Sequence, residues 1–516
     1  MLVSVVLDEP LPHFTNLDTI SGRVLLRATS NTSISSVVVK LEGESRTRLV
    51  PPQNPQFNNS KPRPVLEIHK ILYKTLVVFP PPNLQTVDWE SRKYTLNLGN
   101  YEYPFSFKLP FNNACHTTTS LTGGFNIATL EIARPPTKHV KQTLPPSLTG
   151  FPGEAEIRYY IKCTVNRPSL LKENPRALLH FNFLPIEPPR PQKADGEAYA
   201  RRQHQFNPRW VPPAERRTSL WDKMKGEKGT PPMSPTGENQ DLARFSIDAR
   251  LPNPAILTLN EDLPLRVLIK QLNDRSDPVY LQMLQIELVG YTHVRAHELT
   301  RTESNSWIIA SFSNMAIPIG APSDVGGTET PINPEYWSDK PLPNTVSPSF
   351  DTCNISRYYE LEVRVGLGYG SYKHGQDQLV VLPLRLPVKV YSGVEPPPAL
   401  LTAMASAKPG LPARKPVPGS AALHPLKTGG PVMSPGGSAA PPYQTPMTPI
   451  DGGAGHGSAP QGQYLSGNES HNYEDAPPSY EDAVAQDLPA VDGPRRDYAP
   501  PPIPEGAPRF SHDEKR

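Results

Sequence analysis

Short runs of alternating apolar and polar residues make up most of the chain up to about residue 391. In the clearest run, 157–165, apolar side chains alternate with Arg158, Tyr160, Lys162 and Thr164. Side chains two residues apart lie on the same face of a strand, so this run predicts a β-strand with one packed and one solvated face. Similar runs lie at 2–7, 22–28, 37–43, 68–79, 94–98, 105–109 and 125–133. Many short strands without an amphipathic helix between them predict an antiparallel sandwich rather than a parallel sheet.

The pattern divides the chain into four parts. Residues 1–170 are expected to form one immunoglobulin-like β-sandwich, and residues 243–392, where strand-like runs resume, a second one in tandem. Residues 170–183 fit either one helical turn or a strand, and residues 185–240 are rich in proline, arginine, glutamine and glycine, so 171–242 are expected to be a connection with a disordered insertion. Residues 393–516 carry many prolines and few large apolar groups, which predicts a disordered tail. The expected fold class is therefore all-β.

Composition agrees with this division. The 516 residues include 66 prolines, which is more than twice the ~5% expected of a globular chain. Proline lacks an N–H and fixes φ, so this composition excludes a long-helix protein and a single compact core. The 52 basic and 50 acidic residues nearly balance. The net charge therefore gives no overall electrostatic attraction to nucleic acid or to a membrane.

The cysteines and the amino terminus indicate a cytosolic protein. Cys115, Cys163 and Cys353 are far apart in the sequence and form no C-x-x-C pair. This spacing fits reduced thiols rather than a disulfide framework or a structural zinc site, and neither a metal nor a cofactor is expected. The first apolar run is too short for a signal peptide, and no run approaches the ~18 apolar residues of a membrane span.

No catalytic pattern is present, so we do not expect an enzyme. The sequence has no G-x-S-x-G, H-E-x-x-H or phosphate-binding glycine motif. His293 and His297 lie four residues apart in a predicted strand, where a separation of ~13 Å exceeds the reach of two ligands to one ion. Cys163 is expected on the packed face of its strand, unlike an accessible nucleophile.

The tail contains a P-P-x-Y motif formed by Pro477, Pro478 and Tyr480. Two prolines favour a polyproline II turn that fits an aromatic groove, and the tyrosine fills a neighbouring pocket, as in a ligand of a WW domain. Acidic residues flank the motif, and a turn is expected after it at 481–485. A weaker second contact is predicted at Pro441, Pro442 and Tyr443, where Ala440 occupies the position of the motif's first proline.

Two further kinds of site are hypotheses from the sequence. Ser219 follows an Arg-Arg pair, and Ser234 and Ser434 precede prolines, so all three are candidates for phosphorylation. Five basic residues in the first sandwich are expected to form a patch for acidic or phosphorylated peptide tails. They are Arg134, Lys138, Lys141, Arg158 and Lys162. Ordinary solubilising charge on an exposed face is an equally good interpretation of these five residues.

Several stretches resemble arrestins. Residues 99–110, GNYEYPFSFKLP, resemble the hallmark of arrestin amino-terminal domains, and residues 157–168 resemble the closing strands of that domain. Similarity to the carboxy-terminal arrestin domain lies at 260–267, 279–291 and 382–390. Two such domains followed by a P-P-x-Y tail resemble the alpha-arrestins, also called arrestin-related trafficking adaptors.

The resemblance implies a non-enzymatic, cytoplasmic adaptor that is recruited peripherally to the plasma membrane and to endosomes. Its arrestin body would recognise cytosolic tails of membrane transporters or receptors. Its tail motif would recruit a WW-domain HECT ubiquitin ligase, which attaches ubiquitin to the cargo and promotes its endocytosis. Members of the family often carry two such motifs, and this chain has one clean copy, so it lacks the avidity of a second contact.

Two alternatives to this function remain open. One is a signalling arrestin that couples a membrane sensor, for example of ambient pH, to endosomal machinery. The other is a β-sandwich regulator that binds DNA, and the near-neutral charge argues against it.

Overall fold

The computed structural model describes most of both predicted sandwiches and two parts of the tail. The described residues are 1–52, 63–85, 93–115, 138–169, 172–206, 243–274, 278–321, 323–369, 378–406, 480–491, 493 and 495–502. They form twenty strands and two short α-helices, which confirms the all-β prediction.

The first sandwich contains ten strands. They are β1 (Leu2–Leu7), β2 (Thr19–Ala28), β3 (Thr32–Ile34), β4 (Ser36–Leu49), β5 (Val65–Phe79), β6 (Tyr94–Leu96), β7 (Gly99–Lys108), β8 (Leu148–Phe151), β9 (Ala155–Asn166) and β10 (Arg176–Phe181). One sheet has the order β1-β2-β7, and the facing sheet has the order β10-β9-β4-β5, with β8 paired to β9. Neighbouring strands in both sheets are antiparallel.

The core of this sandwich follows from the alternation in the sequence. In β9, the side chains of Ile157, Ile161, Cys163 and Val165 are fully buried, as predicted. The opposite face differs from the prediction of a solvated surface, because Tyr160 is also buried. Charged side chains of the neighbouring strand β4 lie beside it. Glu42 accepts a hydrogen bond from the Tyr160 hydroxyl, and Glu44 lies near Arg158.

The second sandwich contains the remaining strands. They are β11 (Glu197–Gln205), β12 (Arg244–Pro252), β13 (Ile256–Thr258), β14 (Arg266–Gln271), β15 (Val279–Ala296), β16 (Leu299–Pro318), β17 (Glu329–Pro331), β18 (Phe350–Asp351), β19 (Ile355–Tyr369) and β20 (Gln378–Tyr391). One sheet has the order β11-β12-β14-β17, and the other has the order β13-β20-β19-β15-β16, with β18 paired to β19. Their inner faces bury a second hydrophobic core that contains Trp337 and Tyr359.

Two strands lie inside the stretch that the sequence predicted as a connection. β10 pairs with β9 at an edge of the first sandwich, and β11 pairs with β12 at an edge of the second. The sequence of β11, EAYARRQHQ, is mostly polar because an edge strand is held by backbone hydrogen bonds and exposes its side chains. Apolar alternation therefore could not reveal it. The predicted strand at 125–133 lies outside the described residues.

The tail also contains ordered segments that composition did not predict. Helix α1 spans Pro398–Ser406 and helix α2 spans Tyr480–Asp487. Both helices pack against the rest of the chain, and Tyr498 beyond them is buried. Within the described residues, no helix is long and apolar enough to cross a membrane.

The two sandwiches share a contact at the tip of the β15–β16 hairpin. Val294 and Ala296 at the end of β15 join the core of the first sandwich, together with Ile355 at the start of β19 and Cys353 just before it. The ends of two strands of the second sandwich are thus inserted into the first.

Candidate functional site

Helix α2, which begins at the tyrosine of the P-P-x-Y motif, is held on the body formed by the two sandwiches. Leu400 of α1 and Ala485 of α2 are buried in one small apolar cluster with Leu17, Phe111 and Ile186. An eight-residue helix is marginal in water by itself, so this packing stabilises α2. The expected turn after the motif is therefore the first part of a docked helix.

Polar contacts fix both ends of α2. Near its amino end, the Asp482 carboxylate accepts a hydrogen bond from the Asn112 N–H at 3.1 Å and lies 3.3 Å from the Lys141 ammonium. Near its carboxyl end, Lys108 donates to the carbonyl oxygens of Gln486 and Leu488 at 2.6 and 2.5 Å. Negative charge at the start of a helix and positive charge at its end both complement the helix dipole.

Tyr480 is the first residue of α2, and its side chain is 62% exposed. Pro477 and Pro478 lie outside the described residues, as does the weaker motif of Pro441, Pro442 and Tyr443. The tyrosine of the motif therefore projects from a helix that is fixed to the body, and its ring is free of the core.

Residues 495–501, which we call the clasp, lie against both sandwiches. The Arg495 guanidinium donates two hydrogen bonds of 2.8 and 2.7 Å to the Asp18 carboxylate of the first sandwich. The next residue, Arg496, donates to Glu261 of the second sandwich at 2.6 Å. Paired guanidinium–carboxylate bonds of this kind are strong and directional.

The centre of the clasp is the buried side chain of Tyr498, which is 1% exposed. Its hydroxyl donates to the Ser147 carbonyl oxygen of the first sandwich at 2.6 Å. Because a hydroxyl has one proton, the Ser347 hydroxyl of the second sandwich, 2.9 Å away, donates to Tyr498. Burial raises the pKa of Tyr498, so the ring stays neutral. One side chain of the tail thus bridges the two sandwiches.

The five predicted basic residues do not form one free patch in the described part of the chain. Arg134 lies outside the described residues, and Lys138 is exposed. Lys141 pairs with Asp482, as described above. The side chain of Arg158 is 11% exposed and lies 3.8 Å from Glu44. Burial lowers the pKa of Lys162, which is not fully accessible either. The phosphorylation candidates Ser219, Ser234 and Ser434 lie outside the described residues.

A buried polar cluster connects the sandwiches at the hairpin tip. The Glu67 carboxylate on β5 is fully buried and accepts a 2.8 Å hydrogen bond from Arg295 on β15. It also accepts a bond from the His297 N–H and lies 2.7 Å from His69 Nε2. Burial alone would raise the pKa of Glu67, but the hydrogen bonds from His69 and His297 outweigh it and lower the pKa. The predicted strand with His293 and His297 thus ends in an inter-sandwich contact.

Next to Glu67, four sulfur and nitrogen donors meet. They belong to His69, Cys115, His139 and Cys353, and one ligand atom from each lies within 4.8 Å of the others. The contact with the Cys115 sulfur, together with His69, lowers the pKa of Cys353 despite burial. Sequence reasoning missed this cluster because His69 and Cys115 are 46 positions apart and Cys115 and Cys353 are 238 positions apart. No local spacing in the sequence signals it.

Comparisons with known proteins agree with this architecture. Residues 3–180 match the family described as "Arrestin (or S-antigen), N-terminal domain". The chain is also 32% identical over 123 residues to a curated protein of Lachancea thermotolerans named "Arrestin-related trafficking adapter 10". That match covers 22% of this chain and 28% of the relative, so the similarity extends over little more than a quarter of the relative's length. The family match spans residues 99–110 and 157–168 and confirms the resemblance that they indicated.

Proposed function

We propose that the chain is a non-enzymatic trafficking adaptor that recruits a WW-domain HECT ubiquitin ligase, because residues 3–180 match the arrestin amino-terminal domain family and a stretch of 123 residues is similar to an arrestin-related trafficking adapter. Its body binds cytosolic tails of plasma-membrane transporters or receptors. The ligase bound at Pro477, Pro478 and Tyr480 attaches ubiquitin to that cargo, and the cargo is taken up by endocytosis. The adaptor acts in the cytoplasm and is recruited to the plasma membrane and to endosomes.

The observation that carries this proposal is the position of Tyr480. Its side chain is 62% exposed at the first residue of a helix that is docked on the body. A WW domain needs the tyrosine ring to be accessible, because the ring enters a pocket beside the proline groove. A motif hidden against the body would not support ligase binding.

Docking of α2 also compensates for the single clean motif. A ligase that binds next to a fixed helix stays close to any cargo bound on the same body, which raises its effective concentration at the cargo. A motif at the end of a long flexible linker would sample a much larger volume. Fixed placement therefore favours ubiquitin transfer without the avidity of a second motif.

Cargo recognition by basic residues stays a prediction. Among the five candidates, Lys138 and Lys141 are exposed in the described part of the chain, and Lys141 and Arg158 already lie beside carboxylates. Acidic cargo tails would have to compete with Asp482 for Lys141. Cargo binding therefore requires further surface residues besides these five.

Binding of isolated WW domains to the full chain tests the ligase step. We expect Tyr480→Ala to abolish binding, because the ring is the group that fills the pocket, while the matched change Tyr443→Ala in the imperfect motif retains most of it. Binding by titration calorimetry that is equal in wild type and Tyr480→Ala would refute recruitment through this motif.

A cellular assay tests the trafficking step. Fluorescently tagged surface transporters are followed in cells with wild-type protein or Tyr480→Ala. We expect at least one transporter to remain at the surface in the variant and to receive less ubiquitin. Unchanged uptake of every transporter, in cells where deletion of the whole protein still has a phenotype, would favour the signalling arrestin instead.

A further inference from the structure

The four-residue cluster beside Glu67 is the feature of the fold that adaptor function does not use. Its members come from three separate parts of the molecule. His69 lies on β5, Cys115 and His139 lie on either side of residues 116–138, and Cys353 precedes β19 in the second sandwich. Three of the four are buried and His139 is partly buried. Reactive or solubilising roles do not account for two thiols and two imidazoles gathered in the interior.

We propose that His69, Cys115, His139 and Cys353 bind one zinc ion through two thiolate sulfurs and two imidazole nitrogens. The ion would be a structural one, since four protein ligands complete a tetrahedron and leave no position for a substrate. This inference is independent of the proposed adaptor function.

The separations between the donor atoms fit that geometry. Zinc binds sulfur at about 2.3 Å and imidazole nitrogen at about 2.0–2.1 Å, so the edges of the tetrahedron measure about 3.3 to 3.8 Å. The Cys115 and Cys353 sulfurs are 3.6 Å apart. Cys115 Sγ lies 3.3 Å from Nδ1 of His69 and 3.3 Å from Nδ1 of His139. These three separations, each of which joins Cys115 to another ligand, match the edges of such a tetrahedron, and all four donor atoms lie within 4.8 Å of one another.

Groups around the cluster orient its ligands. His69 presents Nδ1 to the sulfurs, and its Nε2 lies 2.7 Å from the Glu67 carboxylate. A carboxylate that accepts the outer N–H of a metal-binding histidine fixes the tautomer and makes the inner nitrogen a better donor. The Val140 N–H donates to Cys353 Sγ at 3.1 Å, which stabilises a thiolate at that position.

The charges also balance with a divalent cation in place. Two thiolates neutralise the ion, the two thiol protons are released to solvent, and the negative charge of Glu67 is compensated by Arg295 at 2.8 Å. Two sulfur and two nitrogen ligands select zinc over magnesium or calcium, which prefer oxygen.

Such an ion would join β5, the residues on either side of 116–138, and the segment that precedes β19. It would hold Cys115 and His139 against β5, and it would anchor the residue that precedes β19 to the first sandwich. The predicted consequence is that metal binding stabilises the contact between the two sandwiches.

Metal analysis of the full-length protein, purified under reducing conditions without a chelator, is the first test. We expect about one zinc per chain by elemental mass spectrometry, and near zero for Cys115→Ser. Cys163→Ala is the matched control, because Cys163 is a fully buried cysteine of the same sandwich outside the cluster, and it should retain the ion.

Cobalt substitution keeps the test independent of how well a variant folds. Co²⁺ added to chelator-treated wild-type protein should give the intense visible bands of a tetrahedral site and a sulfur-to-metal charge-transfer band. The proposal is overturned if the wild-type chain takes up neither zinc nor cobalt stoichiometrically. It is equally overturned if peptide mapping finds Cys115 and Cys353 joined as a disulfide in the reduced preparation.

Discussion

Removal of the Tyr498 hydroxyl should make the clasp open from the body more often without unfolding the sandwiches. In Tyr498→Phe, the Ser147 carbonyl oxygen loses its donor and the Ser347 hydroxyl loses its acceptor, both in a buried site. A buried polar group left without its partner costs about 1–3 kcal/mol, and we take about 2 kcal/mol for this site. That corresponds to a roughly 30-fold increase in the equilibrium constant for opening of the clasp.

Tyr498→Ala should have a larger effect, because it also leaves a cavity where an almost fully buried ring was. Truncation of a large buried aromatic side chain costs about 3–5 kcal/mol. The clasp lies on the surface of the sandwiches and has its own contacts, so this cost should appear as local opening rather than as global unfolding. Hydrogen exchange in the clasp can rise no further once the clasp is fully detached.

Hydrogen exchange measured by mass spectrometry on peptides covering residues 495–501 reports this opening. The useful probe is the Ala499 amide, which donates to the Asn344 carbonyl oxygen at 3.2 Å. Tyr199→Phe is the matched control, since Tyr199 is 61% exposed and its change should leave the exchange unaltered. Exchange of Ala499 in Tyr498→Phe within twofold of wild type would refute the reasoning. A fall in the global unfolding temperature with unchanged clasp exchange would refute it as well.

Two further predictions concern the first sandwich. Burial alone would raise the pKa of Glu44, but Arg46, Arg158 and Lys70 hold it at about 2, below the ordinary 4.5. A depressed pKa adds stability that is present above pH 4.5 and is lost as the pH falls toward 2, here about 3 kcal/mol. Urea unfolding at pH 7 and at low pH should therefore show a smaller pH dependence for Glu44→Gln than for wild type, and equal slopes would contradict it. Gly43→Ala should cost about 1–3 kcal/mol, because its new Cβ would lie 2.7 Å from the Tyr159 ring. Gly150→Ala, which meets nothing within 4 Å, should change the urea midpoint little, and equal effects of the two changes would count against the packing argument.

The strands with a packed face were predictable from local pattern. β1 was predicted with its observed bounds. The core residues of β9 follow directly from alternation, because side chains two residues apart in a strand face the same core. The edge strand β11 was not predictable in this way, since its side chains face solvent and its pairing depends on the backbone of β12. Helix α2 was anticipated as a turn, but its docking depends on a surface formed by distant residues such as Phe111.

The sequence by itself determined the fold class, the tandem repetition of β-rich regions and the P-P-x-Y motif, because each of these depends on residues that are close together in the chain. The tertiary structure alone decided which distant residues meet. It placed Tyr498 between Ser147 and Ser347, Arg295 beside Glu67, and Cys353 beside Cys115. Such pairs carry no periodic or local signal in the sequence. The residues between the two partners can vary in number and kind, and the folded strands still bring the partners together.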